Sequence, residues 1–213
     1  NYRFYYGYRS GRSPCEDPRL SQLRPEWFRG RACLDIGCNE GVLTLAVALR
    51  LAPRSIRGVD IDRDLVGRAI GRLRRLRHNC SQSEFLPRPP SLLNEYGAQC
   101  NASTALARLR RVWFVHRDWL HDDDDSDGKA EYGTIMCMSV TKWVHLNWGD
   151  AGLKALFRKI AYKLAPGGWL ILEPQPWRSY TCVWKKRDVA VPAIGSLTNL
   201  HFRPSEFATW ICN

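Results

Sequence analysis

Apolar positions along this chain follow two rhythms. Residues 31–36 are a short apolar run that stops at Gly37, and residues 55–61 are a second such run. Residues 112–115, 134–138 and 169–172 repeat the pattern, and all five read as buried strands. Between them lie helical stretches. Residues 42–51 are almost wholly apolar and begin just after a glycine turn. Over residues 62–78, Leu65, Val66, Ala69, Ile70, Leu73 and Leu76 recur at helical spacing, and Asp62 stands where an N-cap is needed. Residues 150–164 put Leu153, Leu156, Phe157, Ile160 and Leu164 on one face, and Pro166-Gly167-Gly168 closes that helix. Residues 204–211 read as the start of another. Strands alternating with helices predict an α/β domain with a doubly wound, mostly parallel sheet.

Two stretches break the rhythm. Residues 81–110 carry Pro87, Pro89, Pro90, Gly97 and several Ser and Asn, and read as an irregular insertion. Residues 121–128 contain Asp122, Asp123, Asp124, Asp125 and Asp127. Adjacent like charges repel and stay hydrated, so this is read as a solvated loop, and no metal site is expected.

Composition narrows the choice of partner. The chain has 213 residues and a net charge of +11, which favours a polyanion such as nucleic acid. Arg68, Arg72, Arg74, Arg75 and Arg77 form one face of the 62–78 helix, a solvated face or an RNA contact. No apolar run reaches the length of a membrane span, and residues 1–6 lack the apolar core of a signal peptide. No membrane association is expected. The eight cysteines include no C-x-x-C pair, so they are read as reduced and the setting as intracellular.

Candidate chemistry sits where strands end. Asp35-Ile36-Gly37-Cys38-Asn39-Glu40-Gly41 joins the first strand to the first helix. Gly37 allows the backbone to turn and come close to a ligand, and Gly41 allows the helix start to pack tightly. The spacing is G-x-x-x-G, not the dinucleotide G-x-G-x-x-G. The second strand ends at Asp60, where a carboxylate can accept from both hydroxyls of a ribose. Past the fourth strand, residues 138–150 hold Lys142, Trp143, His145, Asn147 and Trp148, an unusual density of polar and aromatic groups at the sheet edge where ligands bind.

Five segments occur in a recognisable order: Asn1-Tyr2 with Tyr5-Tyr6-Gly7-Tyr8-Arg9; Pro25-Glu26-Trp27-Phe28-Arg29-Gly30-Arg31; Leu34-Asp35-Ile36-Gly37-Cys38-Asn39; residues 141–150; and Leu172-Glu173-Pro174-Gln175-Pro176-Trp177. Together they resemble the bicoid-interacting protein (Bin) family of RNA methyltransferases over most of residues 1–180, least in 81–130. The resemblance implies a Rossmann-like S-adenosylmethionine-dependent methyltransferase sheet. It implies one domain over 1–213, with 1–30 an arm that contacts substrate and cofactor. The last two strands of the family's sheet are not found, so the carboxyl end reads as truncated.

The resemblance also implies a reaction: methyl transfer from S-adenosylmethionine to a γ-phosphate oxygen at the 5′ end of a small non-coding RNA. The products are a methylphosphate cap and S-adenosylhomocysteine. The implied setting is nuclear and the implied partner a La-related protein, with the enzyme itself a monomer. Alternatives are a 5′-monophosphate acceptor, as in the family's small-RNA branch, and a non-catalytic RNA scaffold. The 5–9 arm and the 141–145 run favour the triphosphate branch. Carried over position by position, Tyr6 and Arg19, then Asp35, Gly37, Cys38, Asn39 and Gly41, then Asp60 and Ile61, Asp118 and Trp119, and Met138 are the expected cofactor contacts. Arg19 would reach the methionine carboxylate. Asp118-Trp119 stands where the family's capping branch has Asn-Tyr. Lys142 and His145, expected on a loop, are the catalytic candidates; with Tyr5 and Arg9 they would face the 5′ phosphates.

Overall fold

The computed structural model describes residues 14–83, 91–122, 131–185 and 196–212. Five strands form one sheet: β1 (Ala32–Ile36), β2 (Ser55–Asp60), β3 (Val112–His116), β4 (Tyr132–Met138) and β5 (Leu164–Glu173). Their order is β3-β2-β1-β4-β5, and every pairing is parallel. Parallel strands need crossovers, and right-handed crossovers put helices on both faces. Among the described residues no strand follows β5.

One face is covered by α1 (Val42–Leu51), α2 (Arg63–Gln82) and α4 (Ala102–Leu109), which pack on Cys33, Ile56, Val112, Phe114 and Met136. Helix α1 lies between sheet and neighbouring helices, which explains its nearly unbroken apolar sequence: eight of its ten residues are buried. Helix α2 begins as expected, with Asp62 Oδ1 accepting from the amides of Asp64 and Leu65.

The other face carries α5 (Thr141–Lys163) and α7 (Phe207–Cys212). Leu153, Leu156, Phe157, Ile160, Phe202 and Phe207 meet Leu34, Ile36, Val59, Ile135 and Cys137 there. A third, smaller core forms where α6 (Trp177–Lys185) brings Tyr180 against Leu146 and Leu200.

Three expectations need correction. Residues 81–110 are not an irregular insertion throughout. They contain α3 (Ser91–Glu95) and α4, whose Ala102, Ala105, Leu106 and Leu109 are buried against α1 and α2. Asn101 caps α4 by accepting from the Thr104 amide. The 141–148 stretch is helix, not loop: α5 starts at Thr141 and kinks at Gly149 (φ 64°, ψ −168°), so only its second half matches the predicted 150–164 helix. The arginine face of α2 is partly structural. Arg68 and Arg72 pair with Glu40, and Arg77 donates to the carbonyls of Leu109 and Val112, tying α2 to α4 and β3.

Candidate functional site

The order of the sheet reverses at β1, whose neighbours are β2 and β4. Chain connections leave in opposite directions there, opening a crevice at the carboxyl ends of the strands. A cleft occupies it. Its walls come from Ile36, Gly37 and Asn39 at the end of β1, Val59, Asp60 and Ile61 at the end of β2, Arg117 to Leu120 after β3, and Met138, Ser139 and Val140 at the end of β4, with Trp143, Val144, Trp148 and Leu156 from α5.

The β1 loop is shaped by contacts that exclude side chains. Gly37 has φ +72°, and a Cβ there would come within 2.2 Å of Val140 Cγ2. The two loops that flank the crevice therefore touch across it. Gly41 gives the tight packing at the helix start rather than a cofactor contact: a Cβ there would meet Phe114 of β3 at 2.5 Å and Ala69 of α2 at 2.9 Å. It lies behind the cleft rather than in its wall. Within the loop, Cys38 is buried and does not line the cleft, and Asn39, with φ 53°, lines it while its Oδ1 accepts from the Glu40 amide.

Asp60 braces this loop. Its Oδ2 accepts from the Asn39 amide at 2.8 Å and its Oδ1 from the Asp62 amide at 2.9 Å, with the residue 8% exposed at the cleft wall. Burial raises its pKa, and the two amides oppose that by favouring the ionised form. Each oxygen keeps a lone pair for a further donor. Ile61, 44% exposed, and Trp119 add apolar surface beside it. Asp118 Oδ1 accepts from the amides of Leu120 and His121, and its Oδ2 meets His121 Nδ1 at 2.8 Å; the His121 ring lies 5.0 Å from Trp148. An acceptor for a diol, a flat apolar bed and a close-approach backbone loop suit a nucleoside with an attached chain.

Two expected cofactor residues sit beneath or beside the cleft. Asp35 is 2% exposed and accepts from Thr44 Oγ1 at 2.5 Å; burial raises its pKa to about 7, the Thr44 hydrogen bond opposing. Arg19 is held by Asp17 at 2.6 Å and approaches Glu173 Oε2 at 3.8 Å, so its guanidinium is engaged within the protein. Met138 lines the cleft. Tyr5, Tyr6 and Arg9 lie outside the described residues.

On the α5 side, Lys142 is 5% exposed, and its Nζ sits 4.8 Å from the centre of the Trp143 ring. Burial lowers its pKa. Among the described residues no ion pair involves it. His145 is placed differently from the expected phosphate-facing loop residue. It is fully buried, its Nε2 is 2.7 Å from Asp150 Oδ1 across the Gly149 kink, and its Nδ1 is 3.4 Å from Tyr180 Oη. Burial lowers its pKa, partly offset by Asp150. Asp150 Oδ2 also accepts from the amides of His201 and Phe202, so this pair pins the bent helix to the 201–202 segment.

Sequence reasoning assigned no role to Glu173, Gln175, Asp150 or Tyr180. Gln175 is 7% exposed and bonds to Ser139, Thr141 and Lys142 at once. The available signal was position: Glu173 and Gln175 stand at and just past the end of β5, on the sheet edge that carries the other site loops.

The parallel order and this cleft define a Rossmann-like α/β domain with its crevice at the switch point of the sheet. Comparison with known proteins is more specific. The family model described as Bicoid-interacting protein 3 (Bin3) matches residues 132–213. The chain is 39% identical over 222 residues to a probable RNA methyltransferase of Arabidopsis thaliana, covering 97% of this chain and 68% of that protein. It is 37% identical over 244 residues to the 7SK snRNA methylphosphate capping enzyme of Homo sapiens, covering 99% of this chain and 34% of that protein. It is 32% identical over 215 residues to a U6 snRNA methylphosphate capping enzyme of Drosophila melanogaster, covering 99% and 63%. The chain belongs to the Bin3 family. It spans about a third of the length of the human relative.

Proposed function

We propose that this domain methylates a γ-phosphate oxygen at the 5′-triphosphate end of a small non-coding RNA, using S-adenosylmethionine and releasing S-adenosylhomocysteine. The observation that carries this reading is Lys142: a nearly buried ammonium ion on the first turn of α5, in cation–π contact with Trp143 of the cleft wall and without a carboxylate partner among the described residues. An uncompensated charge in such a setting is costly unless an anion completes it. The names of the human and fly relatives, both methylphosphate capping enzymes, supply the acceptor class.

The residues divide the work. Asp60 would accept from the ribose hydroxyls, Trp119 and Ile61 would bed the adenine, Asp118 would lie at its edge, and the backbone at Gly37, Asn39 and Met138 would follow the methionine part. Arg19, held by Asp17, would add positive charge toward the carboxylate without leaving its present partner. The bound sulfonium supplies an electrophilic methyl group. The acceptor oxygen is anionic at neutral pH, so no residue has to remove a proton from it. The protein's task is to hold that oxygen in line, an effect of orientation, and Lys142 would do so by fixing the phosphate. His145, with Asp150, acts one step back as a positioning residue for the first half of α5. Tyr5, Tyr6 and Arg9 of the arm complete the proposal on resemblance alone, as do a La-related partner and a nuclear setting.

Labelled methyl transfer to one RNA bearing a 5′-triphosphate, a 5′-monophosphate or a 5′-hydroxyl tests this. The triphosphate form is expected to be labelled well above the other two. Lys142→Ala should lower kcat/KM for RNA about 100-fold, in line with loss of a charge-assisted contact to phosphate. Its S-adenosylhomocysteine affinity should stay within twofold. Equal labelling of hydroxyl and triphosphate RNA would sink the proposal, and preference for monophosphate would move the acceptor to the other branch.

A further inference from the structure

The turn that carries Lys142 is held in a conformation its own residues do not favour. Ser139 has φ +63°, a left-handed conformation unusual for a residue with a side chain. Its polar groups are all engaged by the end of β5. The Ser139 amide donates to the Glu173 carbonyl at 3.0 Å, its Oγ donates to Glu173 Oε2 at 2.5 Å, and its carbonyl accepts from Gln175 Nε2. The other end of the Gln175 side chain reaches further along: Oε1 accepts from the Lys142 amide at 3.2 Å and from Thr141 Oγ1 at 3.3 Å. One buried amide thus spans the whole turn. On its opposite side the turn has no slack, because Val140 sits where a Cβ on Gly37 would be.

We infer that Gln175 is a positioning residue for methyl transfer, whose side-chain amide clamps the 139–142 turn against the Gly37 loop and so fixes Lys142 relative to the bound methyl donor. This rests on the proposed role of Lys142. The position requires an amide. It must donate at one end, to the Ser139 carbonyl, and accept at the other, from an N–H and a hydroxyl. An ionised carboxylate has no donor and would set an oxygen against that carbonyl, whereas a protonated carboxyl matches the amide atom for atom. Leucine is close in shape but does neither.

The test compares Gln175→Glu, Gln175→Leu and the milder Thr141→Ala, which removes one donor and keeps the amide. Hydrogen exchange of residues 139–142 is measured without ligand, S-adenosylhomocysteine affinity by calorimetry, and methyl transfer between pH 6 and 8. Expected results are tenfold or faster exchange in both Gln175 variants, cofactor affinity within threefold, and methyl transfer about 30-fold lower at pH 8. Relative to the unaltered chain, Gln175→Glu should regain activity as pH falls to 6, while Gln175→Leu should not. Thr141→Ala should lose three- to tenfold. Unchanged exchange in all three variants overturns the inference, as does a parallel loss of cofactor binding and transfer. Failure of the unaltered chain on triphosphate RNA, with exchange responding as expected, counts against the acceptor reading and leaves the clamp standing, since exchange reports on it directly.

Discussion

The two halves of the cleft are built by different means. On the β1–β2 side, the working parts are backbone and one carboxylate, all within a single βαβ unit. Asp60 reaches back 21 residues to the Asn39 amide, and the loop takes its course through Gly37 and Gly41. On the β4–α5 side, the parts are side chains drawn from distant segments. Gln175 spans 33 to 36 residues to the turn, and Asp150 spans 51 and 52 to the 201–202 segment. The first half resembles a socket formed by local folding. The second is a surface held by long-range hydrogen bonds around a bent helix. On the proposed function, the first half would serve a donor common to many enzymes and the second an acceptor peculiar to one family.

The largest expected effect tests whether the socket depends on Asp60. Asn at position 60 offers one acceptor oxygen where the Asn39 and Asp62 amides each now have one. One buried N–H would then face an amide nitrogen, and the ribose would lose part of its acceptor. We expect Asp60→Asn to raise the Kd for S-adenosylhomocysteine about 100-fold, roughly 2.7 kcal/mol. Exchange of residues 139–142 should not change. A Kd within threefold of the unaltered chain would mean that the two halves do not divide as described.

A medium effect separates the socket from the ground beneath it. Asp35 is buried and its pKa lies at about 7, against about 4 in an unfolded chain. Between those values the unfolded chain releases a proton that the folded one keeps, so unfolding becomes easier as pH rises. This contribution to stability is fully present below about pH 4 and is lost as pH climbs through about 7. At about 1.4 kcal/mol per unit it is bounded by about 4 kcal/mol. Asparagine does not titrate and still accepts from Thr44. The Tm of Asp35→Asn should exceed that of the unaltered chain at pH 8, with the gap closing toward pH 5. A gap independent of pH would remove ionisation of Asp35 as its cause.

The same division governs what could be read from residues alone. The socket was legible because its signals are local: Gly37 follows β1, Asp60 ends β2, Asp62 caps a helix, and α1 occupies the predicted residues 42–51. The wall was legible only as an odd composition. Thr141, Lys142, Val144, His145 and Leu146 are all buried, so the first half of α5 has no polar face to mark it as amphipathic, and Gly149 separates it from the regular half. Burying Lys142 and His145 depends on Trp143, Asp150 and Tyr180, and no periodicity reports such partners. Helix α4 was missed for another reason. Ala102, Ala105, Leu106 and Leu109 do repeat at helical spacing, but over eight residues next to a proline-rich stretch the signal is short.

The smallest expected effect concerns the outer rim of the socket. Glu40 meets Arg68 at 2.9 Å and Arg72 at 2.5 Å, the arginine side chains being 41% and 38% exposed. Ion pairs this open to solvent are screened and contribute under about 1 kcal/mol. The loop's course does not depend on them, since the Glu40 amide is held by Asn39 Oδ1 and the Asn39 amide by Asp60. Glu40→Gln should therefore lower stability by less than about 1 kcal/mol at low salt, and the difference should shrink by 0.5 M salt as the pairs are screened. Affinity for S-adenosylhomocysteine should remain within twofold. A tenfold loss of affinity would show that the arginine face of α2 reaches the socket through Glu40, so that this half also relies on side chains from outside its loop.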